Sequence, residues 1–237
     1  MNEHTYVGGE LELFAHAHHW KRYWISKLRP FIRGAVLEAG AGIGTNTAIL
    51  RDGTESRWVC LEPDPRLAAE LKQKISNSPA CRSSEILTGT IDSLPERDSF
   101  DTILYIDVLE HIPDDRREIQ RAACRLRPNG RLIVLSPAHG WLYSPFDKAI
   151  GHCRRYTARA LRHLTPHNLR VEKSFYLDSV GLLASATNRV LLRQSMPKPG
   201  QLRVWDNFMV PCSRWLDPLT AHRVGKSVVC VWERSGP

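Results

Sequence analysis

The sequence has no uninterrupted apolar run of about 18 residues, the length that a helix needs to cross a membrane. Residues 1–9 are polar and lack the charged and then apolar layout of a secretion signal. The six cysteines include no pair at C-x-x-C spacing, which favours small buried side chains over disulfides or zinc ligands. We therefore expect a cytoplasmic protein without a membrane span.

The positive charge of the chain is spread out rather than concentrated. Lysine and arginine number 33 against 25 acidic residues, a formal net charge of +8. Arginine pairs occur at 116–117 and 154–155, but no long basic run is present. This charge is compatible with nucleic acid, an anionic membrane surface or an acidic small molecule as partner, and equally with a solvated basic surface.

Short apolar segments alternate with helical patterns along most of the chain. Strands are predicted at 35–37, 57–61, 85–87, 101–106, 131–135, 171–177 and 227–232. Helices are predicted at 10–29, 45–50, 66–75, 114–126 and 157–164. This alternation is typical of βαβ units, so we predict an α/β fold with a mostly parallel, seven-stranded sheet that helices cover on both faces.

The chain is predicted to be a single domain over residues 1–237 with four parts. Residues 1–30 form a helical lid, 31–178 a cofactor-binding core, and 226–237 the last strand. Residues 179–225 break the alternation, since they carry several prolines among large apolar residues. We expect this segment to be a helical or irregular insertion that covers the molecule on which the protein acts, called the acceptor below.

A glycine-rich turn, residues 38–44 (Glu-Ala-Gly-Ala-Gly-Ile-Gly), follows the first predicted strand. Glycines there let the backbone approach a ligand at the carboxyl ends of the strands. A dinucleotide fingerprint needs its third glycine at the sixth position of the turn, which is Thr45 here. No Gly-Lys-Ser/Thr follows, which excludes a P-loop. The acid Glu38 would repel a pyrophosphate but suits an ammonium group.

Glu62 ends the second predicted strand, where a carboxylate is placed to accept hydrogen bonds from the two hydroxyls of a ribose. The alternative is a surface acid beside the turn that Pro63 begins. Because Glu62 occurs together with the glycine turn, we favour the ribose role.

These residues resemble class I S-adenosylmethionine-dependent methyltransferases over roughly residues 35–165. The resemblance implies a Rossmann-like fold, S-adenosylmethionine as cofactor and S-adenosylhomocysteine as product, without a metal. It implies that the glycine backbone packs against the methionine part, with Glu38 near its ammonium group. The implied cofactor-binding residues are Glu38, Gly40, Gly42, Gly44, Glu62, Pro63, Thr90, Ile91, Asp92, Ile106 and Asp107.

Two further segments carry the resemblance. Residues 89–95 look like the family's adenine-flanking segment, although Thr90 stands where members often have Asp, which puts one adenine contact in doubt. Residues 100–112 look like the fourth-strand motif, which implies Asp107 near the sulfonium and the acceptor, as a catalytic candidate. Glu110 and His111 recur in this motif without being catalytic, so we expect His111 to be structural.

The loop after the fifth predicted strand is expected to border the acceptor. His139, early in this loop, is the candidate for a catalytic base or a group that orients the acceptor, with a structural role as the alternative. Residues 151–156 (Gly-His-Cys-Arg-Arg-Tyr) resemble a subgroup of these methyltransferases whose acceptors are mostly unassigned. Arg154 and Arg155 either grip an anionic acceptor or form internal salt bridges, for instance with Asp147.

Aromatic residues of the lid either anchor the core or form the walls of a flat pocket. His16, His18 and His19 invite a zinc interpretation, but no fourth ligand is apparent, so no metal is expected. The predicted substrate-binding residues are Trp20, Tyr23, Trp24, His139, Trp141, Tyr143, His152, Arg154 and Arg155. Pocket walls of this kind would favour a planar acceptor.

The function that these features favour is methyl transfer to nitrogen or oxygen of a small molecule, such as a planar heteroaromatic compound of specialised metabolism. The net charge of +8 keeps methylation of RNA or another nucleic acid as a less favoured alternative. A third alternative is a domain that binds the cofactor or a partner without turnover. A monomer or a homodimer is expected.

Overall fold

One mixed sheet of seven strands forms the centre of the computed structural model, which describes residues 10–76, 78–187 and 199–236. The strands are β1 (Ala35–Ala39), β2 (Arg57–Glu62), β3 (Glu85–Thr88), β4 (Phe100–Ile106), β5 (Leu126–Pro137), β6 (Leu169–Leu177) and β7 (Ser227–Arg234). Their spatial order is β3-β2-β1-β4-β5-β7-β6. Strand β7 runs antiparallel to β5 and β6, and the other neighbours are parallel. The predicted sheet is confirmed.

Helices cover both faces of this sheet, as predicted. They are α1 (Glu10–Ala15), α2 (His18–Leu28), α3 (Thr47–Leu50), α4 (Pro65–Ser76), α5 (Asp115–Cys124), α6 (Pro145–Ala149), α7 (Ala158–His163), α8 (Ser179–Thr187), α9 (Pro199–Val204) and α10 (Val210–Leu219). Successive strand residues point to opposite faces. Val36 accordingly packs in the core that α2, α4 and α10 cover, and Leu37 in the core that α5 and α7 cover.

The predicted helix over residues 10–29 is wrong in one respect, because the helix is interrupted between α1 and α2. Ala17 leaves the helical conformation at φ −78° and ψ 71°. The backbone N–H groups of His19 and Trp20 donate to the carboxylate of Asp206, at 3.1 and 2.8 Å. This acid satisfies the free donors at the start of α2 and exerts the stabilising effect of a negative charge at a helix N-terminus.

The described part of the insertion before the last strand is helical as far as Leu219, and residues 220–225 form a turn and an irregular stretch that lead into β7. A π-helical turn, Trp205–Met209, joins α9 to α10, and residues 188–198 lie outside the described part. The buried carboxylate of Asp178 accepts hydrogen bonds from Trp205 Nε1 and Ser213 Oγ, both at 2.7 Å. Asp217 accepts from the backbone of Asp178 and from the hydroxyl of Tyr23, also at 2.7 Å. Asp217 therefore joins the insertion to the lid, and Asp178 holds the insertion against the end of β6.

Most predicted element boundaries differ from the structure by a few residues. Asp114 and Thr157, both predicted inside helices, are instead the N-caps of α5 and α7. Strand β5 begins before the predicted turn at residues 128–130, and Asn129 takes φ +61° within it. Among the described residues, no helix is long and apolar enough to span a membrane.

Candidate active site

The glycine turn begins directly after β1 and adopts positive φ at three positions, Gly40 (+66°), Gly42 (+55°) and Gly44 (+76°). Packing excludes a side chain at two of them. A Cβ on Gly40 would lie 2.6 Å from Val108 Cγ2, and one on Gly44 would lie 2.4 Å from Leu71 Cδ1. At Gly42 the nearest atom would be 3.6 Å away. The backbone at Gly42 is therefore open to close approach by a ligand.

Glu62, the last residue of β2, connects this turn to the neighbouring strand. Its Oε2 accepts a hydrogen bond from the Gly42 N–H at 2.7 Å, and its Oε1 accepts one from the Asp64 N–H at 3.0 Å. Burial raises the pKa of Glu62, and the two backbone bonds oppose that shift. Each oxygen has one further lone pair, so a ribose diol can still bind to this carboxylate.

One cavity of about 1460 Å³ lies beyond the carboxyl ends of β1, β2, β4 and β5. It runs from the glycine turn and Glu62 to the loop after β5, and helices α1, α2, α8 and α9 supply residues to its walls. Parallel α/β sheets bind ligands at this edge. The sequence-predicted residues that line the cavity are Gly40, Gly42, Glu62, Pro63, Ile106, Asp107, Trp20, Trp24, His152 and Arg155.

Asp107 occupies the middle of this cavity. It follows β4, takes φ +54°, and has its side chain exposed to the cavity within surrounding protein. Burial raises the pKa of Asp107, while the nearby His152, Lys21 and Lys226 act in the opposite direction. Asp107 therefore lies between the glycine turn and the residues that follow β5.

Comparison with known proteins identifies the fold and a region of similarity. Residues 37–134, less than half of the chain, match the family model described as a methyltransferase domain. The predicted fold is confirmed, and the match agrees with the predicted family, enzyme class and cofactor. The predicted subgroup with the Gly-His-x-Arg-Arg-Tyr segment stays a prediction.

The relatives that this chain matches are distant. A ubiquinone biosynthesis O-methyltransferase of Paracidovorax citrulli is 29% identical over 110 residues, 45% of this chain and 45% of its own length. A methyltransferase structure from Clostridium acetobutylicum has a TM-score of 0.60 at 11% identity, covering 96% of both chains. The structure of magnesium protoporphyrin IX methyltransferase of Synechocystis with bound S-adenosylmethionine has a TM-score of 0.54 at 13% identity, covering 93% of this chain and 80% of its own. The chain spans less than half the length of the curated relatives that it matches.

Five predicted cofactor residues do not line the cavity: Glu38, Gly44, Thr90, Ile91 and Asp92. The Oε2 atom of Glu38 accepts from Thr47 Oγ1 at 2.7 Å and from Trp58 Nε1 at 3.1 Å behind the turn, and its contact with the cofactor stays a prediction. Burial raises the pKa of Glu38 to about 7. This carboxylate therefore fixes the start of α3 against β2.

The predicted adenine-flanking segment is turned away from the cavity. Ile91 is a core residue under the opposite face of the sheet, and Asp92 forms a salt bridge with Arg121. The Thr90 hydroxyl takes part in a capping box with Ser93. A structural role accounts for each of these three side chains, and their contacts with adenine stay a prediction.

His139, the predicted base, is also not among the residues that line the cavity. Its ring stacks on Tyr176 with centroids 5.2 Å apart, and its Nε2 lies 3.0 Å from the Gly225 carbonyl oxygen. Burial lowers the pKa of His139. This geometry corresponds to the structural alternative, in which the histidine fixes the loop after β5.

Several predicted substrate residues likewise have partners outside the cavity. The Tyr23 hydroxyl bonds to Asp217 in the lid, and Trp141 is about half exposed to solvent. Tyr143 donates to the His152 carbonyl oxygen at 2.7 Å. Arg154 pairs with Asp115 at 2.6 Å. The structure therefore does not bring these four side chains to the cavity.

Arg155 and His152 do line the cavity, and both are held by Asp147. Arg155 donates from Nε and Nη2 to the two carboxylate oxygens, at 2.8 and 3.0 Å. Ser144 and His152 also bond to this carboxylate, which together hold the pKa of Asp147 well below its usual range. The salt-bridge alternative is correct for Arg155, which nevertheless keeps a side facing the cavity.

The sequence interpretation missed two lysines of the cavity wall, Lys21 on α2 and Lys226 before β7. Neither ammonium group has a hydrogen bond or ion pair within the described part of the chain. Burial, with Lys74 nearby, lowers the pKa of Lys21 to about 8. Lys226 Nζ lies 4.6 Å from the centre of the Trp205 ring, and burial lowers its pKa too. In the sequence, Lys21 lies between Trp20 and Trp24, and this position was the available signal that its side chain lines the cavity.

Proposed function

We propose that this protein transfers the methyl group of S-adenosylmethionine to oxygen or nitrogen of a small, planar acceptor that carries a negative charge. The observation that carries the proposal is the volume of the cavity, about 1460 Å³. Pockets for one drug-sized ligand span about 300–1000 Å³. The cavity thus has room for two ligands side by side, one at the glycine turn and one at the β5 side.

The half of the cavity at the glycine turn suits the cofactor. Glu62 would accept hydrogen bonds from the ribose, and the open backbone at Gly42 would lie against the methionine part. Lys21, which is electrostatically coupled to Lys74 near Thr45, would pair with the cofactor's carboxylate. When bound, the cofactor supplies an activated methyl group, so the protein chiefly has to align the acceptor and exclude water.

The other half of the cavity suits a flat anion. Trp205 and Trp20 stand with ring centroids 5.8 Å apart, and Phe146 adds a further ring to the wall. The ammonium group of Lys226 and the guanidinium group of Arg155 supply positive charge beside these rings. A carboxylate or phenolate on a planar acceptor would find both flat surfaces and cations here. The relative from Paracidovorax citrulli, an O-methyltransferase by name, is consistent with an oxygen acceptor.

The nucleic-acid alternative loses support from the structure. Three of the four arginines that motivated it have partners within the protein: Arg154 pairs with Asp115, Arg155 with Asp147, and Arg116 donates to the His163 carbonyl oxygen. A phosphate backbone needs unpaired cations along a groove. A domain without turnover would not need the second half of the cavity.

A transfer assay with radiolabelled methyl donor tests the proposal. The protein is incubated with a small-molecule extract or with total RNA, and the label should appear in small acidic products. Lys226→Met should lower kcat/KM about 10- to 150-fold, the equivalent of losing a charge-assisted hydrogen bond. The exposed Lys148, which does not line the cavity, provides the control Lys148→Met. Label in RNA alone, or equal rates for both variants, would overturn the proposal.

A further inference from the structure

Three potential metal ligands meet on the acceptor side of the cavity. Glu110 and His111 lie in the 3₁₀ turn after β4, and His152 follows α6. One ligand atom from each lies within 4.8 Å of the others, and all three residues line the cavity. The rings of His111 and His152 meet edge to face with centroids 4.6 Å apart.

Glu110 brings a buried carboxyl group with one unpaired oxygen. Its side chain is fully buried; Oε2 accepts from Ser136 Oγ at 2.9 Å, while Oε1 has no hydrogen-bond partner. His152 Nε2 lies 3.9 Å from Oε1, beyond hydrogen-bond range. A buried carboxylate oxygen without a partner is costly, so a bound cation or proton is needed there.

His152 is oriented so that one nitrogen is left for such a cation. Its Nδ1 lies 2.9 Å from Asp147 Oδ1, and Asp147 is itself fixed by the two bonds from Arg155. A carboxylate that accepts from one ring nitrogen leaves the other nitrogen with its lone pair, here on the side of Glu110. The ring of His111 is held in turn by a hydrogen bond to the backbone of Gly151.

We propose that Glu110, His111 and His152 bind one divalent transition-metal ion of the zinc class. Two imidazoles and one carboxylate are a ligand set that zinc uses where it keeps an open position. Tetrahedral ligands at about 2.1 Å from zinc stand roughly 3.4 Å apart, so the 3.9 Å between Glu110 and His152 closes with a small rotation. This proposal departs from the expectation that no metal is bound.

Because all three ligands line the cavity, an open position of the ion would face the proposed acceptor side. Under the proposed methyl transfer, on which this step rests, an oxygen of the acceptor would bind there and be held against the methyl donor. Metal binding itself requires only the three ligands, so it can be measured whether or not the protein transfers a methyl group.

The experiment titrates chelator-treated full-length protein with Zn²⁺ by calorimetry and with Co²⁺ by visible absorption. One ion per chain is expected, and Co²⁺ should give the intense visible bands of four- or five-coordinate cobalt. Glu110→Gln keeps the shape of the side chain and the bond to Ser136. This variant and His152→Ala should each weaken binding by about 100-fold, the upper end of what a lost supporting contact alone costs.

Controls separate this site from other histidines. The triple variant His16→Ala, His18→Ala, His19→Ala and the exposed His163→Ala should bind Zn²⁺ as the wild type does. Far-UV circular dichroism identifies any variant that fails to fold, and His111→Gln then replaces it. Unchanged affinity in folded Glu110→Gln, or loss of binding in the triple variant, would overturn the proposal. Absence of Zn²⁺ and Co²⁺ binding with intact S-adenosylhomocysteine binding would overturn the metal site alone.

Discussion

Replacement of Glu62 by glutamine perturbs the donor site at one atom. The two oxygens of Glu62 each accept one backbone N–H, from Gly42 at 2.7 Å and from Asp64 at 3.0 Å. Glutamine retains one oxygen and presents an NH₂ group in place of the other. One backbone donor then faces another donor in a buried position, and one hydrogen bond between the glycine turn and β2 is lost.

The structure sets the size of this effect. A buried donor without a partner costs about 1–3 kcal/mol. For a protein of this length, each kcal/mol corresponds to roughly 2–4 °C, so the melting temperature should fall by about 2–12 °C. Burial raises the pKa of Glu62, so removal of the charge offsets part of that cost. If Glu62 also binds the ribose, the affinity for S-adenosylhomocysteine falls by a further factor of about 5 to 150.

Urea denaturation and calorimetric titration with S-adenosylhomocysteine measure the two effects separately. Glu172, on the outer strand β6 and away from the cavity, pairs with Arg131 of β5. The control Glu172→Gln removes this acid and should leave the ligand affinity unchanged. A Glu62→Gln protein that is destabilised but binds the ligand within twofold of wild type would refute the ribose assignment. The bond to Gly42 would then be structural only.

Three further changes have defined outcomes. Because burial lowers the pKa of Lys21 to about 8, the affinity for S-adenosylhomocysteine, measured by calorimetry, should fall as the pH rises through that value. Lys21→Arg should shift this fall to higher pH. Superimposed pH profiles for the variant and the wild type would exclude the pairing of Lys21 with the ligand's carboxylate. Burial raises the folded-state pKa of Glu38 from 4.5 to about 7. The stability of the wild type should therefore fall as the pH rises from about 4.5 to 7 and stay lower above pH 7. In urea titrations, Glu38→Gln should be more stable than wild type at pH 8 by up to about 3 kcal/mol, with the difference fading towards pH 4.5. His139→Ala should leave kcat unchanged, and a large loss of kcat with intact cofactor affinity would restore its role as the base.

The sheet was predictable from the sequence because each central strand is a short apolar run that ends in a turn residue. Strand β1 is buried over all five residues, as expected for a strand covered on both faces. The antiparallel place of β7 has no such local signal, because it depends on how β5 and β6 pair with it. The division of the chain into four parts of one domain stays a prediction.

The contacts that the sequence did not predict share a physical cause. A strand end predicts that Glu38 is near the ligand, but the direction of its side chain depends on Trp58 and Thr47, which the fold brings there. The break before α2 depends on Asp206, far along the chain. Local patterns do not contain contacts of this kind, since they form only when the whole fold assembles.

The acceptor side also depends on contacts of this kind. Lys21 and Lys226 lie at opposite ends of the sequence, and the cavity between the lid and β7 brings both close to Asp107. The ligand set of the metal site likewise joins the turn after β4 with His152. In contrast, the glycine turn and Glu62 were identifiable because adjacent strands carry them to one edge of the sheet.

A crystal structure with S-adenosylhomocysteine tests the central claim most directly, namely that one cavity holds the donor at the glycine turn and leaves the β5 side for the acceptor. We expect ribose hydroxyls within hydrogen-bond distance of Glu62, the homocysteine part against Gly42, and open space bordered by His152, Arg155 and Lys226. A product that binds elsewhere, or that fills the space beside Lys226, would contradict it.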